Sequence, residues 1–332
     1  MTQVFHFQWL FPLISFLTTI AGLWFLLRSG LATRVAVDVP NHRSLHTLPM
    51  PRIGGLVTVP AFLLAWILSP EANPLQLGLV AILAVFSYMD DRAGLSAALR
   101  LGVHLAVAAA FTMLLLDLQD MAWVMATLLW IAWCTNLYNF MDGADGLAGG
   151  MALFGFSACG LAAAMSGHHD LAIASCSIAS ASAGFLLFNF PPAKTFMGDA
   201  GSIPLGFLMG ALSVLGYRLG AWPLWFPILV FLPFVADATV TLLKRVVRGE
   251  QFWQAHHEHY YQRLVRMGWS HRKLALNGYG VMFAAAGSAL LLLNFSESVQ
   301  CIGLLVWVSL YALAMVAIDI RWKRHLFKAS NA

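Results

Sequence analysis

The sequence predicts an all-α integral membrane protein, a polytopic bundle of about eleven transmembrane helices with its N-terminus outside and its C-terminus in the cytoplasm. Three observations predict it. The 332 residues are 60% hydrophobic and only 10% charged, too little polar surface to wrap a soluble domain of that size. Apolar stretches of about 20 residues, the length that crosses a hydrocarbon core of about 30 Å, follow one another almost from end to end. The basic residues fall on one side of the alternation those stretches impose.

Long apolar runs separated by polar or Pro/Gly clusters place spans near 9–28, 53–69, 74–89, 101–117, 121–138, 147–166, 171–190, 202–217, 223–243, 274–294 and 300–320. They are expected as helices, because lipid offers no partner to open backbone polar groups. The first run has no Lys or Arg before it and no small-residue cleavage pattern after it, so it reads as a true span and not a signal peptide. With the N-terminus outside, 18 of the 19 Lys and Arg residues lie in cytoplasmic segments, leaving Arg218 outside. Such an excess of cations marks the cytoplasmic side. An even number of spans would put the RWKRH cluster on the wrong side, so count and charge support each other. The net charge of +4 is thus an expression of topology, and no nucleic-acid partner is implied. Cys134, Cys159, Cys176 and Cys301 lie in apolar runs without a CxxC pair, which suggests neither a disulfide framework nor a zinc site. No repeat or low-complexity linker divides the chain, so residues 1–332 read as a single transmembrane domain. Any site must be built from its loops and helix ends.

Acids gather at those ends. Asp90 and Asp91 close the third span, Asp142 and Asp145 sit in NFMDGADG after the fifth, and Asp199 sits in FMGDAGS after the seventh. All five fall on the cytoplasmic side. Any one alone is an ordinary loop acid, but their convergence in so apolar a chain points to a functional cluster. Gly143, Gly146, Gly198 and Gly201 flank them and let the backbone turn tightly. Separated loop carboxylates suit magnesium, which takes one or two carboxylates plus substrate phosphate oxygens. An EF-hand is excluded, because DGADGLAGG lacks the distal Glu of that loop.

Asp237 lies about two turns before Lys244, just inside the cytoplasmic end of its span, and an intramembrane acid is a functional candidate by default. The alternative is a structural partner for a nearby cation. AHHEHYYQRL brings His256, His257 and His259 to the membrane surface without forming HExxH, since Tyr261 stands where the second His would be. Contact with phosphate or sugar is the favoured use of these imidazoles. The alternative is a metal pair formed by His256 and His259 on one helix face. His104 is expected to be a satisfied helix-end residue. In PNHRSLHTLPMPRIGG, Arg43 and Arg52 are candidate phosphate clamps, against the simpler reading of positive-inside anchoring, and Gly54 and Gly55 allow close packing.

Taken together, PRIGG, the Asp90–Asp91 pair, NLYNFMDGADGLAGG, NFPPAKTFMGDAGS and the His-rich loop run in order between residues 40 and 270. They resemble the polyprenyl-phosphate N-acetylhexosamine-1-phosphate transferases of glycosyltransferase family 4. That family includes the phospho-MurNAc-pentapeptide translocase and the GlcNAc-1-phosphate transferases of surface polysaccharides. The resemblance implies magnesium, with manganese as a substitute, at Asp199 of the MGD motif. It implies Asp90 and Asp91 at the reaction centre, uracil stacked on Phe196, and Asn189 near the uridine. Asn136, Asn139, Asp142 and Asp145 would position metal or nucleotide. Arg52, Arg100 and His259 would hold phosphate oxygens, with Asp237 and His256 in the substrate-binding set. One departure narrows the substrate. Aligning Gly268 leaves only His259 of the family's histidine motif, with Tyr261 and Gln262 at the other two positions. The AHxxHxYQRL form resembles the branch that initiates O-antigen and related polysaccharides, which argues against MurNAc-pentapeptide transfer.

The implied reaction moves an N-acetylhexosamine-1-phosphate from a UDP-N-acetylhexosamine to undecaprenyl phosphate and releases UMP, at the cytoplasmic face of the bacterial inner membrane. A homodimer is left open. The acceptor phosphate is already a nucleophile at neutral pH, so Asp90 or Asp91 need only strip a residual proton or orient it. A covalent aspartyl-phosphate is the alternative route. The rival class is a polytopic transporter, whose site would sit near the bilayer midplane on broken helices, whereas these acids lie at one face.

Overall fold

The computed structural model describes residues 9–38, 48–69, 73–116, 119–251 and 256–330. In chain order the elements are α1 (Leu10–Arg28), α2 (Ala32–Val35), β1 (Val37–Asp38), β2 (Met50–Pro51), α3 (Gly54–Ile67), α4 (Pro74–Ala93), α5 (Ala97–Leu115), α6 (Met121–Phe140), α7 (Leu147–Met165) and α8 (His169–Asn189). There follow α9 (Asp199–Arg218), α10 (Trp225–Val230), α11 (Leu232–Val247), α12 (Tyr260–Arg266), α13 (His271–Leu292) and α14 (Glu297–Ser330). The architecture is an all-α polytopic membrane bundle. Nine helices among the described residues, α1, α4 to α9, α13 and α14, are long and apolar enough to cross a membrane.

The two remaining expected spans differ from simple crossings. The stretch 53–69 forms α3, whose 14 residues extend only about 21 Å. The stretch 223–243 is two helices that break at Phe231. Pro233, in the first turn of α11, has no N–H to donate and disfavours a helical residue before it. Phe231 N–H still closes onto the Pro227 carbonyl at 3.0 Å.

Helix α9 is the axis of the bundle, with 89% of its most apolar 18-residue window buried, whereas the equivalent window of α14 is 6% buried. Around α9 pack α6, α4 and α3, while α7 and α8 pair beside them and α1 covers α8. Tyr138, Phe156, Phe185, Phe207, Phe231 and Phe234 fill the interior. The crossing of α3 on α9 depends on glycine: a Cβ on Gly55 would lie 2.1 Å from the Gly201 nitrogen. That approach lets Gly54 N–H donate to the Phe196 carbonyl at 2.9 Å and Gly55 N–H to the Met197 carbonyl at 2.8 Å. The PRIGG and FMGDAGS motifs are therefore one structural unit. The small antiparallel pairing of β1 with β2, Val37 opposite Pro51 and Asp38 opposite Met50, sets Asp38 beside the same unit.

Candidate active site

Helices run further into the motifs than the apolar runs alone suggest. Asp90 and Asp91 occupy the last turn of α4, which ends where Gly94 adopts φ 63°. Asp199 is the first residue of α9, at the positive end of that helix dipole. Asp142 and Asp145 lie in the loop between α6 and α7.

These elements bring Asp91, Asp199 and Asp142 around one guanidinium. Arg52 reaches Asp91 Oδ1 from Nη1 at 3.0 Å and Asp38 Oδ2 from Nη2 at 3.3 Å. The Asp91 side chain is only 4% exposed, and its Oδ2 accepts the Ala200 N–H of α9 at 3.4 Å. Burial pushes the Asp142 carboxyl well above the usual carboxylate range. The Asp199 charge pushes the same way, against the pull of Arg52, and Asp91 and Asp38 add to the rise. Burial pulls Arg52 down, but Asp91, Asp38, Asp199 and Asp142 outweigh it and hold it above its ordinary value. Beside this group, Asp90 accepts the Leu95 N–H at 2.7 Å through Oδ1 and faces Arg100 Nη1 at 3.4 Å through Oδ2.

Among the described residues no three His, Cys, Asp or Glu side chains lie close enough together to form a ready-made metal cage. The donor set nevertheless fits magnesium. Asp91, Asp142 and Asp199 are hard oxygen donors held in one field with too few cations to balance them, and Mg²⁺ characteristically completes its shell with water and substrate phosphates. Asn139 interacts with Asp199 and accepts the Ser202 hydroxyl at 2.9 Å.

Other expected site residues have local partners. Asn189 accepts the Gly146 N–H at 2.8 Å and donates to the Thr195 carbonyl at 2.9 Å, so it staples the DGADG loop to the segment leading into Phe196. Gly146 itself needs its φ of 75° to start α7. Asp145 accepts the Ala193 N–H at 3.1 Å and pairs with His271 Nδ1 at 3.1 Å. His271, the first residue of α13, is marked by no motif in the sequence. Asp237 accepts the N–H groups of Tyr260 at 2.9 Å and Tyr261 at 3.0 Å, the Thr241 hydroxyl at 3.3 Å, and approaches His259 Nδ1 at 3.2 Å. Both of its oxygens are thus engaged by the protein.

His256 and His259 do not share a helix face: His259 is the N-cap of α12 and His256 precedes it. Their rings lie 4.8 Å apart, and Phe140 stacks on His259 at 6.0 Å. Burial, then the neighbouring His259 and Arg245, pushes His256 down to about 4. Phe196 is partly exposed, with its backbone fixed to Pro51 and Gly54 on either side of Arg52 in the chain. Arg100, Asn136, Asn139 and Phe140 line a cavity of about 620 Å³ that runs between α5, α6, α9 and α11. His104 also lines it. Contrary to the helix-end expectation, His104 lies inside α5, 4% exposed, and neither ring nitrogen has a well-formed hydrogen bond. Arg43 lies outside the described residues.

The sequence of residues 74–217 matches the description glycosyl transferase family 4. Over 302 residues, 85% of this chain and 82% of the relative, it is 30% identical to a probable undecaprenyl-phosphate N-acetylglucosaminyl 1-phosphate transferase of Bacillus subtilis. The chain belongs to the polyprenyl-phosphate N-acetylhexosamine-1-phosphate transferase family. This membrane transferase is also 28% identical to a decaprenyl-phosphate N-acetylglucosaminephosphotransferase of Mycobacterium leprae, over 78% of each chain. Its similarity to a phospho-N-acetylmuramoyl-pentapeptide-transferase of Listeria welshimeri is 32% over only 50% of this transferase and 51% of the relative.

Proposed function

We propose that the protein transfers an N-acetylhexosamine-1-phosphate from a UDP-sugar to undecaprenyl phosphate, releasing UMP and starting a lipid-linked surface polysaccharide such as O-antigen. The observation that carries the reading is the convergence of Asp91, Asp142 and Asp199 on Arg52 at one end of the bundle. Two anionic phosphates must meet there, and the chief obstacle is their mutual repulsion. Magnesium bound at Asp199 would supply charge neutralisation for the diphosphate and its departing UMP. Asp91 and Asp142, placed against Arg52, complete the donor side. Arg52 offers a planar fork suited to phosphate once it exchanges a carboxylate for substrate. Phe196 presents a ring for uracil. Asp90, held by Leu95 N–H and Arg100, orients the acceptor phosphate or takes its residual proton.

The cavity of about 620 Å³ suits the isoprenoid chain of the acceptor. Its walls are mostly apolar, while Arg100, His104 and Asn136 give it a polar end next to Asp90. The charge distribution of the loops favours a bacterial inner-membrane setting with this end in the cytoplasm, where nucleotide sugars are made. The full-length similarity to N-acetylglucosamine-phosphate enzymes, against half-length similarity to a MurNAc-pentapeptide enzyme, favours a simple N-acetyl sugar.

The test is purified protein with undecaprenyl phosphate, Mg²⁺ and a panel of UDP-N-acetyl sugars, following UMP. Magnesium-dependent release with at least one sugar is expected. Absence of UMP with every sugar, together with saturable solute uptake into vesicles, would replace this reading with transport.

A further inference from the structure

The geometry points to Asp237 as the positioning residue of His259: its carboxylate selects the ring tautomer with hydrogen on Nδ1, leaves Nε2 as the nitrogen open to a ligand, and supplies the countercharge when that nitrogen also carries a proton. The role of His259 in holding a phosphate rests on the function proposed above, whereas the tautomer does not.

Asp237 is buried in α11, 6% exposed, and His259 is 3% exposed. Oδ1 lies 3.2 Å from His259 Nδ1, and Tyr260 and Tyr261 N–H groups bind Oδ1 at 2.9 Å and Oδ2 at 3.0 Å. The carboxylate therefore caps the exposed N–H groups at the start of α12 and touches the ring that precedes them. One acid fixes both the backbone and the side chain of His259.

A donor and an acceptor compete for Nδ1. The Gln262 N–H faces the His259 side chain in a capping box, while the Gln262 side chain accepts His259 N–H at 3.2 Å. If Nδ1 accepted from Gln262, its lone pair would point into a carboxylate oxygen at 3.2 Å. A hydrogen on Nδ1 instead makes a charge-assisted bond, roughly twice as strong as a neutral one. The carboxylate wins. Nε2 is then the nitrogen left for a ligand. Phosphate oxygens only accept hydrogen bonds, so an Nε2 contact to phosphate needs a proton there as well. A ring this buried bears a full charge only with a partner carboxylate in contact, and Asp237 is that partner. Phe140 and Tyr261 stack on His259 at 6.0 and 5.9 Å and restrict the ring, and Phe140 also lines the cavity of about 620 Å³.

The full chain, labelled with ¹⁵N-histidine in lipid nanodiscs, gives a direct reading well above the ordinary histidine pKa of about 6.5. The signal that disappears in His259→Gln is expected to show a protonated Nδ1 and an unprotonated Nε2, and to change pattern in Asp237→Asn. A protonated Nε2 with a bare Nδ1 in the unsubstituted protein would overturn the assignment. In turnover, Asp237→Asn should lower kcat on the order of 10–100-fold with a smaller change in KM. In a His259→Ala background it should lower kcat no further. Full additivity of the two substitutions, or unchanged kcat in Asp237→Asn, would reduce Asp237 to a helix cap. If the tautomer is as assigned but no UDP-sugar yields UMP, the proposed reaction fails and the pairing stands.

Discussion

Arg52 shows how one residue gathers a site from separate motifs. Its two terminal nitrogens hold Asp91 and Asp38, and its backbone neighbours are hydrogen-bonded to the chain just before Asp199. Lysine offers one point charge where this fork spans two acids. Arg52→Lys is therefore expected to lower kcat/KM for the UDP-sugar by about tenfold or more, the equivalent of one charged hydrogen bond, in a UMP-release assay. Asp199→Asn keeps size and polarity but removes the charge, so magnesium-dependent turnover should fall at least about 100-fold while the thermal unfolding midpoint is held or rises. Full activity in that variant would remove the metal assignment. His256 makes a different, pH-linked prediction. Its folded-state pKa lies near 4 instead of 6.5, so the loop keeps the benefit of a neutral ring above about pH 6.5 and loses it as pH falls towards about 4. Proteolysis of the loop should accelerate over that window, and His256→Gln should flatten the acceleration. The acids and Arg52 were legible in the sequence because each sits in a short polar island within apolar runs. The partnerships of Asp145 with His271 and Asn189 with Gly146 were not, since the pairs lie 126 and 43 residues apart along the chain and no local pattern encodes them.

At the scale of elements, the decisive contact is the crossing of α3 on α9. A side chain at Gly55 would collide with backbone at Gly201, 2.1 Å away, whereas a Cβ on Gly78 in α4 meets nothing within 4 Å. Backbone cannot step aside as a flexible side chain does. Gly55→Ala should thus destabilise by about 1–3 kcal/mol or more and cut turnover, because it pries the Arg52 loop from Asp199. Gly78→Ala should be neutral or stabilise by up to about 1 kcal/mol, the helix preference of alanine over glycine. Thermal unfolding in detergent with parallel turnover measures both, and equal effects would sink the argument. The existence of the helices was readable from apolar length alone. Their ends were less so, because Asp90, Asp91 and Asp199 are polar yet helical: the carboxylates are stabilised by Arg100, Arg52 and a helix N-terminus, which hydropathy cannot see. The break at Phe231 lies inside an apolar run and was carried by Pro233, a signal present in the sequence but overridden there by the length of the run.

Across the whole molecule, α14 sets a contradiction between burial and importance. It has 34 residues and none is buried, so at about 1.5 Å per residue it reaches about 51 Å, well beyond a hydrocarbon core of about 30 Å. By packing alone it is dispensable. Yet Asp319, near the end of its apolar stretch, accepts Arg263 Nη1 at 2.8 Å, the Tyr260 hydroxyl at 3.3 Å and the Lys244 ammonium. Lys244 belongs to α11, while Tyr260 and Arg263 belong to α12, the helix that His259 caps. Removing Asp319 leaves the Arg263 side chain, 5% exposed, with the longer 3.6 Å contact to Glu258 and the face of the Tyr260 ring at 5.1 Å. Asp319→Asn is therefore expected to lower stability by about 1.5–3 kcal/mol, the range for a hydrogen bond to a charged group, and to lower turnover through the His259 loop. Leu305→Ala, on the same helix but 66% exposed, should change stability by no more than about 0.5 kcal/mol. If truncation before Glu297 left turnover intact, the outermost helix would be a lipid-facing appendage; if turnover falls with Asp319→Asn and not with Leu305→Ala, the helix acts on the site through one carboxylate.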